Sequence, residues 1–371
     1  MKISNGVSPL IWQWGWLCYS DLILERQAMR IKFRGGDAQF LQTSVSQMEA
    51  AAITATIETF KLVHRDVKEA FRDDPVNWLE PIWIGTRRKK AIAADLYAEL
   101  RTQIELRRRL REFNLSTYGE ESLRNPALDL TGGKGLSVLL DVIDGTDLHE
   151  RNLSNWASAA VYYYAPLRKI VGAFVAIPEL QACYYATDRM EGAVKYLFHS
   201  GSTEPVSGVS RTTTISDSTL MFYGQKLDHF LSVARNEHAI ATLLSLQQSC
   251  RSNALPFDLR IQTLGGIPAM MRMIDGPHPI DAVMELQGQF AHDVVAGLYI
   301  AQKAGATLCD LNGEPIALSQ AMVKPAAPST KLRYILAGTS ALASELRTCF
   351  GEAKIKTVPD HTPAESPIPI M

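Results

Sequence analysis

Between positions 46 and 68 apolar residues return every three or four places (Met48, Ala51, Ala52, Ile53, Ala55, Ile57, Phe60, Leu62, Val63). That period lays one apolar stripe along a helix and predicts a long amphipathic α-helix. A second helical pattern covers 87–112, and its polar positions are heavily basic: Arg87, Arg88, Lys89, Lys90, Arg107, Arg108, Arg109 and Arg111. Such a run is usually a solvated helix face, although it can also steer an anionic substrate or meet an acidic subunit. The run GLSVLLDVI at 135–143, bounded by Gly132, Gly133 and Gly145, predicts a buried strand that delivers acids at its C-terminal end.

Two β-rich runs follow at 157–164 and 170–177, linked through Ala165-Pro166-Leu167, and a third lies at 182–186, which together predict a meander. Positions 200–218 are rich in Ser, Thr and Gly without a period and mark the junction between two halves. Beyond it a strand at 219–223, a helix at 237–250, a strand at 259–263 and a helix at 267–274 alternate as in an α/β layer. The expected organisation is an N-terminal α+β domain (1–200) holding the acids and an inserted basic helix, a C-terminal α/β domain (201–355), and a loose Pro-rich tail (356–371).

At 371 residues, 46% of them hydrophobic and 21% charged, the chain can bury a large core in two domains or two tightly packed halves. Lys and Arg number 38 against 39 Asp and Glu, so there is no overall field to attract nucleic acid or an anionic membrane. Cys18, Cys183, Cys250, Cys309 and Cys349 are odd in number and scattered, with no zinc spacing among them. They read as reduced thiols in a cytoplasmic protein. The stretch 9–19, with Trp12, Trp14 and Trp16, is too short to span a bilayer, carries Gln13, and has only Lys2 before it and no small-residue cleavage site after it. It reads instead as an aromatic face docking on the domain or on a second copy, and with the basic helix it leads us to expect a homodimer or larger.

Four acidic features stand out: Tyr118-Gly-Glu-Glu-Ser122, Asp141-Val-Ile-Asp-Gly-Thr146, His292-Asp293 and Asp310-Leu-Asn-Gly-Glu-Pro315, of which the first three make a plausible site. Asp141 ends an apolar run and Asp144 follows three places later, so both carboxylates converge where the strand ends. Hard oxygen donors of this kind, with the Ile143 carbonyl between them, suit Mg²⁺. Taken singly, each acid has an ordinary use: a helix-cap pair at Glu120 and Glu121, a turn at Asp144, an N-cap at Asp293.

The succession of Glu120-Glu121, DVIDGT some 20 residues on, and HDVVAGLYIAQKAGATLCDLNGEPI from His292 to Ile316 closely resembles the GEE, DPIDGT and WDVAAG-type motifs of the inositol monophosphatase and fructose-1,6-bisphosphatase superfamily. The likeness also takes in 171–186 and the helix with an Asp-Ala-x-x-Glu element at 266–285, and spans roughly 32–316. It implies a layered αβαβα sandwich of the sugar phosphatase type. It further implies metal-activated hydrolysis of a small phosphate monoester, whether a polyol, sugar or nucleotide phosphate.

Carried over residue by residue, the resemblance makes Glu120, Asp141 and the Ile143 carbonyl ligands of one Mg²⁺, and Asp141, Asp144 and Asp293 ligands of a second. Gly145 and Thr146 would bind the phosphate through backbone N–H groups, the Thr146 hydroxyl would orient the attacking water, and Glu285 would bind a substrate hydroxyl. The chain departs from the family pattern at Val142, Asp147 and His292, which replace the proline of DPIDGT, the second threonine of DGTT and the tryptophan of WD. Asp147 would put a carboxylate beside the phosphate. Aligning the upstream T-x-x-D pattern on Thr43 puts Ser46 in place of the water-activating acid, which keeps open a catalytically weak, ligand-binding member of the same fold.

Overall fold

The computed structural model describes residues 38–73, 81–84, 89–120, 123, 127–133, 135–145, 156–206, 208–224, 226–263, 266–276 and 280–351. The tryptophan-rich stretch, Thr146, Asp147 and the tail lie outside them.

The long amphipathic helix is present and runs further than its stripe, as α1 (Ala38–Asp73). Its buried positions Val45, Met48, Ala52, Thr56, Phe60, Val63 and Val67 keep the three-and-four spacing. The basic pattern is not one helix. Lys89–Ile92 (β2) pairs antiparallel with Pro81–Ile84 (β1), and the helix α2 begins only at Ala93 and ends at Arg109. A short run that can pair with a neighbouring strand outweighs the helical pattern of its charges.

The basic residues of α2 are not a free face. Arg101, Arg108 and Arg109 reach the nearly buried carboxylate of Glu105 at 3.3, 2.6 and 3.6 Å, and Arg101 also lies 3.6 Å from Asp66 of α1. The run thus ties the two outer helices together.

Seven strands form the first sheet in the order β3 (Ser116–Gly119), β4 (Leu136–Asp144), β5 (Ala157–Tyr164), β6 (Lys169–Ile177), β7 (Ala182–Thr187), β8 (Val194–Leu197) and β9 (Thr203–Pro205). Only β3 and β4 run parallel; the rest form the expected meander. One face, with Val138, Leu140, Tyr162, Val171 and Phe174, packs on α1 and α2. The other, with Leu139, Val161, Ala173 and Val175, packs on α5 (Ile267–Ile274) and α6 (Ala291–Lys303).

The chain then passes through α3 (Leu227–Ala234) and α4 (Glu237–Ser252) and builds a five-stranded sheet from β10 (Thr219–Phe222), β11 (Arg260–Gln262), β12 (Ala282–Gln289), β13 (Thr307–Cys309) and β14 (Leu332–Ala337), in the order β11-β10-β12-β14-β13. The strand period of two divides its side chains: Met221 and Val283 face α5 and α6, while Leu220, Phe222, Ala282 and Met284 face α4 and α7 (Ser340–Phe350). The result is five layers, αβαβα. Among the described residues no helix is long and apolar enough to cross a membrane.

Within the first interface Thr56 of α1 and the hydroxyl of Tyr162 on β5, both fully buried, hydrogen-bond at 2.7 Å. Tyr162→Phe strands the threonine hydroxyl in the core, and we expect a loss of about 1–3 kcal/mol. Equilibrium urea unfolding checks this; an unchanged midpoint would mean that the bond contributes nothing.

Candidate functional site: a convergent carboxylate cluster

β4 ends in a bulge. Asp141 pairs with Ala159 and Asp144 with Ala157, so Val142 and Ile143 together oppose the single residue Ser158. In a regular strand residues three apart face opposite sides; the extra residue turns both carboxylates to the same face, while Val142 and Ile143 both enter the core beneath α1 and α2. The bulge is held in place: the Ser158 hydroxyl donates to the Val142 carbonyl at 2.6 Å and meets His64 Nε2 at 2.8 Å. His64 is locked among Phe60, Trp156 and Phe198, and burial pushes its pKa down to about 3, so it stays neutral.

Three other elements end at this point. Glu120 follows β3, its N–H donating to the Leu140 carbonyl at 3.1 Å, which sets it beside Asp141. The N-terminus of α5 caps Asp144: the Ile267 N–H donates to Oδ2 at 3.0 Å. Gly266, at φ 99°, is needed there, because a Cβ would stand 3.3 Å from the same oxygen. Asp293 lies in the first turn of α6, where its Oδ2 accepts from the Phe290 N–H at 3.0 Å. The expected acids Glu120, Asp141, Asp144 and Asp293 are thus neighbours in space. Gly145 follows them at φ 96°.

The pattern along the chain did not point to Asp95 and Glu99. Both are buried on the first turns of α2 and line one small pocket with Glu120, Asp141, Val142 and Ile143. Glu99 crosses directly over Gly119, where any Cβ would collide with it, and its Oε1 accepts from Gln103 Nε2 at 2.9 Å. Asp95 follows the apolar run Ala91-Ile92-Ala93-Ala94 much as Asp141 follows its own. The basic residues on either side of it mask that signal. Ser46 is not among the residues lining this pocket, and Asp95 supplies a carboxylate where the alignment on Thr43 left none. Glu49, one turn beyond Ser46, has its pKa raised, first by burial and then by Asp188.

Glu285 is almost fully buried. Its Oε1 accepts from the N–H groups of Gln287 and Gly288 at 2.6 and 2.9 Å, and His229 Nδ1 lies 3.2 Å away. It closes the irregular step in β12 between Glu285 and Gln289, where three residues oppose the single Arg333 of β14. Its carboxylate is therefore engaged by its own strand and by α3, while Tyr334 feels its charge together with those of Asp144 and Asp293. Asp310 is a turn residue whose Oδ1 accepts from Asn312 and Glu314, outside the cluster as expected.

Gathering these acids is electrostatically costly. Burial, then the charges of Glu120, Asp144, Asp293 and Asp95, hold Asp141 well above the ordinary carboxylate range. Asp144 is pushed up to about 7, mainly by burial and against the help of the Ile267 N–H. Asp293 is raised by burial and Glu120, with His292 and Lys226 pulling it back. An all-oxygen set that cannot share one pocket fully ionised without a counter-charge fits a hard divalent cation.

In metal-free protein the folded state keeps a proton on Asp144 between pH 3.8, its ordinary value, and about 7, where the unfolded chain has lost it. Stability is therefore fully present below that window and falls as the pH rises through it. We expect the melting temperature in chelator to fall from pH 5 to 7.5, and Asp144→Asn to flatten that slope; equal slopes in both proteins would contradict the reading.

No protein-family model matches the chain, and no curated protein matches it. Solved structures do. The extragenic suppressor protein suhB from Bartonella henselae is 16% identical, with a TM-score of 0.56 over 83% of this chain and 99% of that one. The IMPase of Thermotoga maritima is 16% identical, with a TM-score of 0.55 over 80% of this chain and 94% of that one. Inositol monophosphatase II from Staphylococcus aureus is likewise 16% identical, with a TM-score of 0.54 over 83% and 96%. At this identity the likeness concerns the fold: the chain has the layered fold of the inositol monophosphatase-type proteins.

Proposed function

We propose that the protein is a Mg²⁺-dependent phosphomonoesterase acting on a small phosphorylated metabolite, such as a polyol, sugar or nucleotide phosphate. The observation that carries this reading is the bulge of β4, which turns Asp141 and Asp144 to one face where Glu120, Asp293 and Asp95 meet them. Glu120, Asp141, Asp144, Asp293 and the Ile143 carbonyl would hold the metal. When bound, Mg²⁺ supplies charge neutralisation for the phosphate oxygens and a water acidic enough to deprotonate near neutral pH.

The chain's own groups do the rest. The buried Asp95 carboxylate is the proton acceptor for the attacking water, in the place that Ser46 was expected to leave empty. Gly145 and Thr146 bind the phosphate through backbone N–H groups, and Asp144 is held in position by the α5 N-terminus. With a carboxylate in the base position, a merely ligand-binding protein is the weaker reading. Glu285, engaged within its own strand, serves the substrate indirectly by fixing the approach of β12 to Asp293.

We expect Asp95→Asn and Asp141→Asn each to lower kcat/KM for Mg²⁺-dependent hydrolysis by about 10²-fold or more while far-UV circular dichroism is retained. A panel of phosphate esters assayed with Mg²⁺ and with chelator checks this. Wild-type hydrolysis that is indifferent to chelator, or variants at full rate, would overturn the assignment.

A further inference from the structure

His292 stands where the resembling family has a tryptophan, and its surroundings are those of a ligand. The ring is stacked on Phe290, with centroids 5.6 Å apart and planes 10° from parallel, and Lys331 Nζ stands 5.0 Å from the Phe290 centroid. The side chain is only 9% exposed. Nε2 lies 3.3 Å from Asp293 Oδ1, while Nδ1 is buried without a hydrogen-bond partner among the described residues. One ring nitrogen and one carboxylate oxygen each from Glu120 and Asp293 fall within 4.8 Å of one another.

A tryptophan at this place offers only an N–H donor; an imidazole offers a lone pair. A buried imidazole with Nε2 3.3 Å from Asp293 Oδ1, clustered with a second carboxylate from Glu120, is a donor set of mixed nitrogen and oxygen. Oxygen-only sets suit Mg²⁺, whereas imidazole suits zinc-class ions, whose affinity for nitrogen exceeds that of the alkaline earths. We infer that His292 is a nitrogen ligand of the cation centre, so that its Glu120–Asp293 side takes a borderline divalent transition ion of the Zn²⁺ class more tightly than an all-carboxylate centre would. This inference rests on the carboxylate cluster being a cation site, as proposed above. The opposing reading makes the ring an imidazolium counter-ion to Asp293; in that case removing it strengthens the binding of all divalent cations alike.

Metal-free full-length protein is titrated calorimetrically at pH 7.5 with Zn²⁺ alone and with Mg²⁺ alone, comparing wild type with His292→Gln and His292→Trp. We expect the Zn²⁺ Kd to rise at least about 10-fold in both variants and the Mg²⁺ Kd to move less than about 3-fold. Zn²⁺ and Mg²⁺ affinities that shift together, or a Zn²⁺ affinity that does not move, overturn the inference. If a variant fails to fold in chelator by circular dichroism, X-ray absorption of wild-type protein loaded with one equivalent of Zn²⁺ decides. Imidazole scattering is expected, and a purely oxygen shell overturns the assignment. None of these readouts requires turnover, so a protein that hydrolyses no phosphate ester can still pass. A protein that binds neither ion defeats the cation site itself.

Discussion

The burial and mutual repulsion of carboxylates gathered at one point are the constraint around which the rest of the structure is arranged. Asp141 is nearly buried, and Glu120, Asp144, Asp293 and Asp95 all act to raise its pKa. Such a cluster is tolerated only where the backbone leaves it no other conformation and where a counter-charge is available. The first condition is met visibly. The bulge of β4 is clamped through Val142 and Ser158 to the neutral His64, and the flanking apolar residues Val142 and Ile143 are anchored in the core.

The five-layer arrangement explains how acids far apart in sequence come together. β3 and β4 end side by side because they are parallel, so Glu120 meets Asp141. α5 and α6 pack on the same sheet face to which the bulge turns Asp141 and Asp144, and their N-termini arrive at that edge. The N–H of Ile267 and that of Phe290 each take one carboxylate oxygen. These donors orient Asp144 and Asp293 and offset part of the repulsion, but burial still dominates, as the raised pKa values record. On the opposite side α2, tied to α1 through Arg101, Glu105 and Asp66, presents Asp95 and Glu99 to the same pocket.

What was legible in the sequence was what is local. The strands β5, β6 and β7 are continuous apolar runs because both of their faces are covered, and they were readable within a residue or so at each end. The acids of DVIDGT and the Asp293 turn were readable because their order along the chain carries the resemblance. Asp95 was not, since the basic residues around it suggested a solvated helix, and only the packing shows that Glu105 and Asp66 absorb those charges. The engagement of Glu285 depends on His229, 56 positions away, and on a bulge that no local pattern announces. The surroundings of His292 likewise arise from stacking and from Glu120, which is brought there by another strand.

The central claim is that the fold gathers these acids in order to hold cations. The most direct measurement is the melting temperature of wild type and of Asp141→Ala at pH 7.5, each with chelator and with millimolar Mg²⁺. A ligand that binds only the native state stabilises it by RT ln(1 + [L]/Kd), about 2.7 kcal/mol at 100 times Kd. We predict that Mg²⁺ raises the wild-type value by several degrees and leaves Asp141→Ala unmoved. A wild-type melting temperature indifferent to Mg²⁺, or an equal rise in the variant, would contradict the account.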